Sequence, residues 1–125
     1  MKLCELVEDA GPLQKVESFC FPDLTGDLTC LKMVFRSLCC FVCVLKDTDE
    51  VLLSDKFPSG SQFMPVETSP VWERFIGLEL LWAWTFTNNQ GYSDGLRLEF
   101  RSSGTIIEFV SIASTLKTFE VHEIQ

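Results

Sequence analysis

The chain has 125 residues, with 10 Lys+Arg against 18 Asp+Glu, a formal charge of −8 and 46% hydrophobic residues. That apolar content excludes a disordered chain, and 7 glycines and 5 prolines exclude collagen-like or low-complexity sequence. The length is that of one domain. The acidic balance argues against nonspecific nucleic-acid binding and against an anionic membrane surface, both of which need clustered Lys and Arg.

Residues 2–10 read as a short helix that Gly11 stops. Glu5, Glu8 and Asp9 interrupt the apolar stretch that a secretory signal needs, and no window reaches the ~18 apolar residues of a membrane span. A cytoplasmic location is the expectation. Residues 13–21 alternate as a strand, and 22–27, with Pro22, Asp23 and Gly26, form a turn. Residues 28–36 place Leu31, Met33 and Phe35 on one face and Lys32 and Arg36 on the other. Residues 38–45 are apolar on both faces, which predicts a central strand; the hairpin loop 46–50 and the short strand 51–54 follow.

Residues 55–69 are the one long connector, marked as loop by Pro58, Ser59, Gly60, Ser61 and Pro65. Ser69-Pro70 reads as an N-cap followed by proline at the first helical position, so a short helix is predicted from Pro70 to about Ile76, ending at Gly77. Leu78, Leu80, Trp82, Trp84 and Phe86 then alternate with smaller or polar residues and predict a strand with one large aromatic face. Leu96, Leu98 and Phe100 alternate with Arg97, Glu99 and Arg101, and strands over about 105–113 and 116–121 close the chain.

A shift of 65 residues superimposes the run Leu31-Lys32-Met33-Val34-Phe35-Arg36-Ser37 on Leu96-Arg97-Leu98-Glu99-Phe100-Arg101-Ser102, with the first, fifth, sixth and seventh positions identical. The expectation is one mainly-β domain, at the border of α+β. It comprises two internal repeats, 1–57 and 68–125, joined by a loop at about 58–67. Each is a short helix and a four-stranded antiparallel unit, and the two form one sheet or a barrel-like sandwich. An α+β arrangement with the helix at Pro70 covering a sheet face is the alternative. Residues 38–45 need cover on both faces, so a homodimer is expected.

The six cysteines are Cys4, Cys20, Cys30, Cys39, Cys40 and Cys43. Cys40 and Cys43 have CxxC spacing, but on a strand residues three apart point to opposite faces and share neither a metal nor a bridge. All six are expected to be reduced and small-hydrophobe-like, with no metal and no cofactor. One histidine, His122, argues against a multi-histidine metal site or a catalytic triad, and reads as exposed at the end of an edge strand. No phosphate-binding glycine motif is present. No catalytic residue is assigned, and the balance is against an enzyme.

The densest polar cluster is residues 88–95, Asn88-Asn89-Gln90-Gly91-Tyr92-Ser93-Asp94-Gly95. One reading is a hairpin loop in which Asn, Gly and Asp supply turn geometry. The other is a binding site built from Asn88, Asn89, Tyr92 and Asp94, with Arg101 added from the matching repeat position of Arg36. Arg36 and Arg101 otherwise read as solvated strand ends or as partners for carboxylates. Trp82 and Trp84 read as core, continuing the row of Leu78, Leu80 and Phe86; exposed, they would be an interface hot spot.

Trp72 near a helix start, Leu80-Leu81-Trp82-Ala83-Trp84, then Asn88-x-x-Gly91-Tyr92-x-Asp94-Gly95-Leu96 and the late Ala113-Ser114 resemble an uncharacterised family of small bacterial and cyanobacterial proteins, a domain of unknown function. The resemblance covers about residues 70–121. It implies a bacterial cytosolic origin and carries over no activity and no catalytic residue. The functional expectation is a non-catalytic, acidic protein-binding or accessory module, immunity- or antitoxin-like at most, whose charge steers a basic partner. The alternative is a small-molecule-binding or hydrolytic site at the 88–95 loop.

Overall fold

The structure is a computed structural model that describes residues 1–23, 26–45, 47–58, 62–122 and 124. Leu24 and Thr25 of the first turn, Lys46 of the hairpin loop, Ser59, Gly60 and Ser61 of the connector, and Glu123 and Gln125 lie outside the described residues. The elements run α1 (Leu3–Asp9), β1 (Leu13–Cys20), β2 (Cys30–Phe35), β3 (Cys39–Leu45), β4 (Glu50–Ser54), β5 (Met64–Val66), a 3-10 helix (Pro70–Phe75), β6 (Leu80–Thr87), β7 (Ser93–Phe100), β8 (Ile106–Ile112) and β9 (Thr115–Val121).

The strands form two antiparallel sheets, ordered β4-β3-β2-β1-β5 and β6-β7-β8-β9. The expected mainly-β fold is present. Of the two arrangements expected, one sheet or a barrel-like sandwich, the structure has the two-sheet sandwich: the sheets are separate hydrogen-bonded units, and among the described residues they do not close into a barrel. Their inner faces bury one core. Leu31, Met33, Val42 and Val44 come from the first sheet, and Leu96, Leu98, Ile107 and Phe109 from the second. Backbone bonds tie the sheets together: Leu13 N–H donates to the Leu78 carbonyl at 2.9 Å, and Leu116 N–H to the Leu28 carbonyl at 2.7 Å.

Both short helices end at glycines in the left-handed region, Gly11 at φ +76 and Gly77 at φ +89, where a side chain would be strained. Ser69 accepts the Val71 N–H at 3.3 Å and starts the second helix as predicted. That helix is 3-10, not α, as suits a six-residue connector. It inserts rather than covers: Trp72 stacks on Phe109 at 6.0 Å and Phe75 meets Phe100 at 5.0 Å, both in the core.

The connector is less irregular than its composition predicted. Residues Met64–Val66 pair with β1 as an edge strand, a place in a sheet where Pro65 need cost no ladder bond. Strand β3 is buried on both faces, as expected. Its inner face enters the core, and its outer face, at Phe41 and Cys43, is roofed by the chain itself. Phe57 lies 4.4 Å from Phe41 and 5.0 Å from Phe19, and Phe63 lies 5.1 Å from Phe57. The cover that a second copy was expected to supply is thus provided within one chain.

Two expectations are corrected. Cys30 and Cys43 stand directly opposite on β2 and β3, with Cα atoms 4.1 Å apart, and form a disulfide; Cys4, Cys20, Cys39 and Cys40 are free. Spacing along one strand excluded a Cys40–Cys43 bridge, but strand pairing makes the bond across the ladder. Second, Trp82 and Trp84 are not core: they are 57% and 38% exposed. The register of β6 on β7 shifts between Leu80 and Trp82, so Leu80 points inward and the alternation then inverts. Ala83, not a tryptophan, takes the inward position opposite buried Leu98.

Candidate functional site

The bulge at residue 81 decides which side chains of the second sheet meet solvent. Register carries three transverse rows across its outer face. The first is Trp82, Glu99, Ile106 and Val121; the second Trp84, Arg97, Glu108 and Phe119; the third Phe86, Gly95, Val110 and Lys117. The centre of the face is an ion pair, Arg97 Nε to Glu108 Oε1 at 3.0 Å, and the Arg97 guanidinium lies 4.8 Å over the Phe86 ring. Trp82, Trp84 and Phe119 (45% exposed) surround it as uncovered aromatics. A charge pair spent internally and framed by aromatic surface favours contact with another molecule rather than with water.

The 88–95 segment sits at one end of this face, between β6 and β7. Its order comes from Asn88. The Asn88 carboxamide oxygen accepts the Gln90 N–H at 2.9 Å and the Tyr92 N–H at 3.1 Å, and its Nδ2 donates to Asp94 Oδ2 at 3.3 Å. Asn88 N–H closes the loop on the Tyr92 carbonyl at 2.8 Å. The loop is also tied to the other sheet, because Ser93 N–H donates to Glu50 Oε2 at 3.0 Å. Asn88 and Asp94 therefore shape the turn, whereas Asn89 and Tyr92 are exposed and available to a partner.

Arg101 lies elsewhere. It follows β7 at the strand's far end, about 23 Å along an eight-residue strand from the loop. There it shares a shallow cleft of about 340 Å³ with Arg36 and Glu79, and its N–H donates to the Glu79 carbonyl at 2.7 Å. The structure brings Asn88, Asn89, Tyr92 and Asp94 together and separates Arg101 from them. Arg36 and Arg101 are exposed strand ends, and His122 is exposed just past the end of the edge strand β9, 3.6 Å from Glu120. Among the described residues no group of three or more His, Cys, Asp or Glu is placed to hold a metal ion. Among the described residues no helix is long and apolar enough to cross a membrane.

Reading along one strand missed the aromatic face, because alternation was counted from Leu78 through a bulge that the sequence does not mark. The available signal lay on the neighbouring strand. Arg97 and Glu99 had to face solvent, and whatever paired with them across the ladder had to do the same.

A family model matches residues 7–125, nearly the whole chain. The chain belongs to DUF6334, a family of unknown function. No curated protein and no solved structure is significantly similar to this DUF6334 chain. The family brings no site residues with it, so the aromatic face and the loop beside it stand on their geometry alone.

Proposed function

We propose that this DUF6334 chain is a non-catalytic protein-binding module, an acidic accessory protein of the immunity or antitoxin kind. The observation that carries the reading is the outer face of the second sheet, where Trp82, Trp84 and Phe119 stand uncovered around the Arg97–Glu108 pair. Exposed tryptophans beside an arginine are the composition of interface hot spots. The net charge of −8 favours a basic partner and speeds its encounter. Asn89 and Tyr92 extend the face at its loop end and offer an amide and a phenol to the partner's polar rim.

The test uses three baits in lysate of the source cell: wild type, the double variant Trp82→Ser/Trp84→Ser, and Tyr92→Phe. Captured proteins are quantified by mass spectrometry alongside thermal melts of each bait. A basic protein held by wild type, lost from the double variant at an unchanged melting temperature, and released by added salt is the expected result. Equal capture by the double variant would remove the face from function.

A further inference from the structure

We propose that the cleft between the open edges of the two sheets binds a small aromatic molecule, uncharged or singly cationic, that carries one hydrogen-bonding group. The cleft adjoins the protein-binding face, with Phe119 and Lys117 of β9 on the border of both, but its interior lies between the sheets and the proposal does not rest on that reading. It lies between β9, the edge strand of the second sheet, and β1 and β5 at the edge of the first. Its volume is about 660 Å³, inside the roughly 300–1,000 Å³ of small-molecule pockets.

The lining is built in layers. Leu31, Trp72, Ile107 and Leu116 are almost fully buried and make an apolar interior. Trp72, held by its stack on Phe109, makes part of the floor of this interior aromatic. Into this interior the register directs two hydroxyls from opposite sheets: Ser18, opposite Leu31, and Thr118, opposite Phe109. Thr118 Oγ1 is buried without a hydrogen-bond partner, alone in this among side-chain N and O atoms of the described residues. A buried hydroxyl left unpaired costs stability, and a ligand donor or acceptor placed against it recovers that cost.

The charges select among ligands. Asp27, Glu67 and Glu120 line the cleft against a single Lys117, and Glu120 is further held by Arg74. A carboxylate or phosphate would meet an excess of negative charge; a neutral or cationic group would not. An extended peptide pairing with the free edge of β9 is a poorer occupant. The chain already takes part of that edge, through the bond from Leu116 N–H to the Leu28 carbonyl at 2.7 Å.

The experiment is a titration followed by amide NMR, with four probes that share one ring system: indole-3-ethanol, tryptamine, indole-3-acetate and 3-methylindole. Saturable shifts at Val71, Trp72 and Thr118 are expected with the alcohol and the amine, and binding of the acetate at least about tenfold weaker. Thr118→Val, nearly isosteric and free of the orphan hydroxyl, should fold with an unchanged or higher melting temperature. It should weaken the alcohol roughly five- to tenfold, the worth of one hydrogen bond, while leaving 3-methylindole unchanged. Val66→Trp, at a half-buried lining position, should block all four probes and covers the case in which Thr118→Val fails to fold. The proposal is overturned by an absence of saturable shifts, by shifts centred on Trp82 and Trp84, by equal binding of the acetate, or by equal loss of alcohol and hydrocarbon in Thr118→Val. Binding confined to an extended peptide would overturn it as well.

Discussion

Asp49 and Ser114, 65 residues apart, meet at the tips of two hairpins from different sheets, where the Ser114 N–H donates to Asp49 Oδ1 at 2.9 Å. The same carboxylate accepts the Ala113 N–H at 3.2 Å and the Ser111 hydroxyl. One side chain on the β3–β4 turn thus satisfies the β8–β9 turn, whose residues Ala113 and Ser114 both have positive φ. Sixty-five is also the offset that aligns Leu31-Lys32-Met33-Val34-Phe35-Arg36-Ser37 with its later counterpart, so the contact joins equivalent positions of the two proposed repeats.

Removing this carboxylate leaves turn donors unpaired. Asp49→Ala should destabilise the protein by about 2–3 kcal/mol, the scale of hydrogen bonds to a charged acceptor. Asp49→Asn should cost less, about 1 kcal/mol, because Asn tolerates the φ of +57 at this position and keeps one acceptor oxygen. Urea unfolding of the three proteins checks the order. Equal stability of wild type and Asp49→Ala would show that the two turns hold without the bridge.

The two faces of the second sheet should respond very differently to truncation. Trp82→Thr removes a largely solvated ring and should change stability by less than about 1 kcal/mol. Leu98→Ala, on the paired strand but fully buried, should cost about 2–5 kcal/mol. Denaturant midpoints with unchanged slopes provide the comparison. A large loss on Trp82→Thr would place the ring in the core after all.

The aromatic roof over the first sheet predicts how the disulfide is reached. Phe19 and Phe63 pack against the cluster of Cys30, Phe41 and Cys43, and Phe57 lies over Phe41. Phe63→Ala should therefore speed reduction of the bond by dithiothreitol in the native protein, and Trp82→Thr, on the other sheet, should not. Thiol counting under denaturing, non-reducing conditions should find four free cysteines, from Cys4, Cys20, Cys39 and Cys40. Six would mean that the bond does not form in the purified protein.

Burial, helped by the neighbouring Cys39, pushes the Cys40 thiol up from 9.0 to about 12. The native state then holds this proton more tightly than the unfolded chain does. The associated stability is fully present below pH 9 and is lost as pH rises from 9 towards 12. In Cys40→Ala the fall in stability above pH 9 should be shallower than in wild type, by at most about 1.4 kcal/mol per pH unit. Parallel urea melts from pH 8 to 11 measure the difference. Native alkylation should modify exposed Cys4 first and Cys40 last.

Periodicity and punctuation within the sequence determined most of the element list. The helix stops at Gly11 and Gly77, the Ser69 cap, the doubly apolar β3 and the alternation of Leu96, Leu98 and Phe100 are all written in the order of residues near one another in the chain. The sequence by itself also located the polar loop at 88–95, because Asn and Gly at those positions answer a local backbone need. Tertiary structure decided what depends on register between strands. A one-residue bulge at β6 turned Trp82 and Trp84 from core to surface, pairing of β2 with β3 joined two cysteines thirteen residues apart, and the length of β7 separated Arg101 from the loop. The cleft beside Thr118 belongs to the same class: its walls come from β1, β5, the 3-10 helix and β9, and only the packing of two sheets that do not close brings them together.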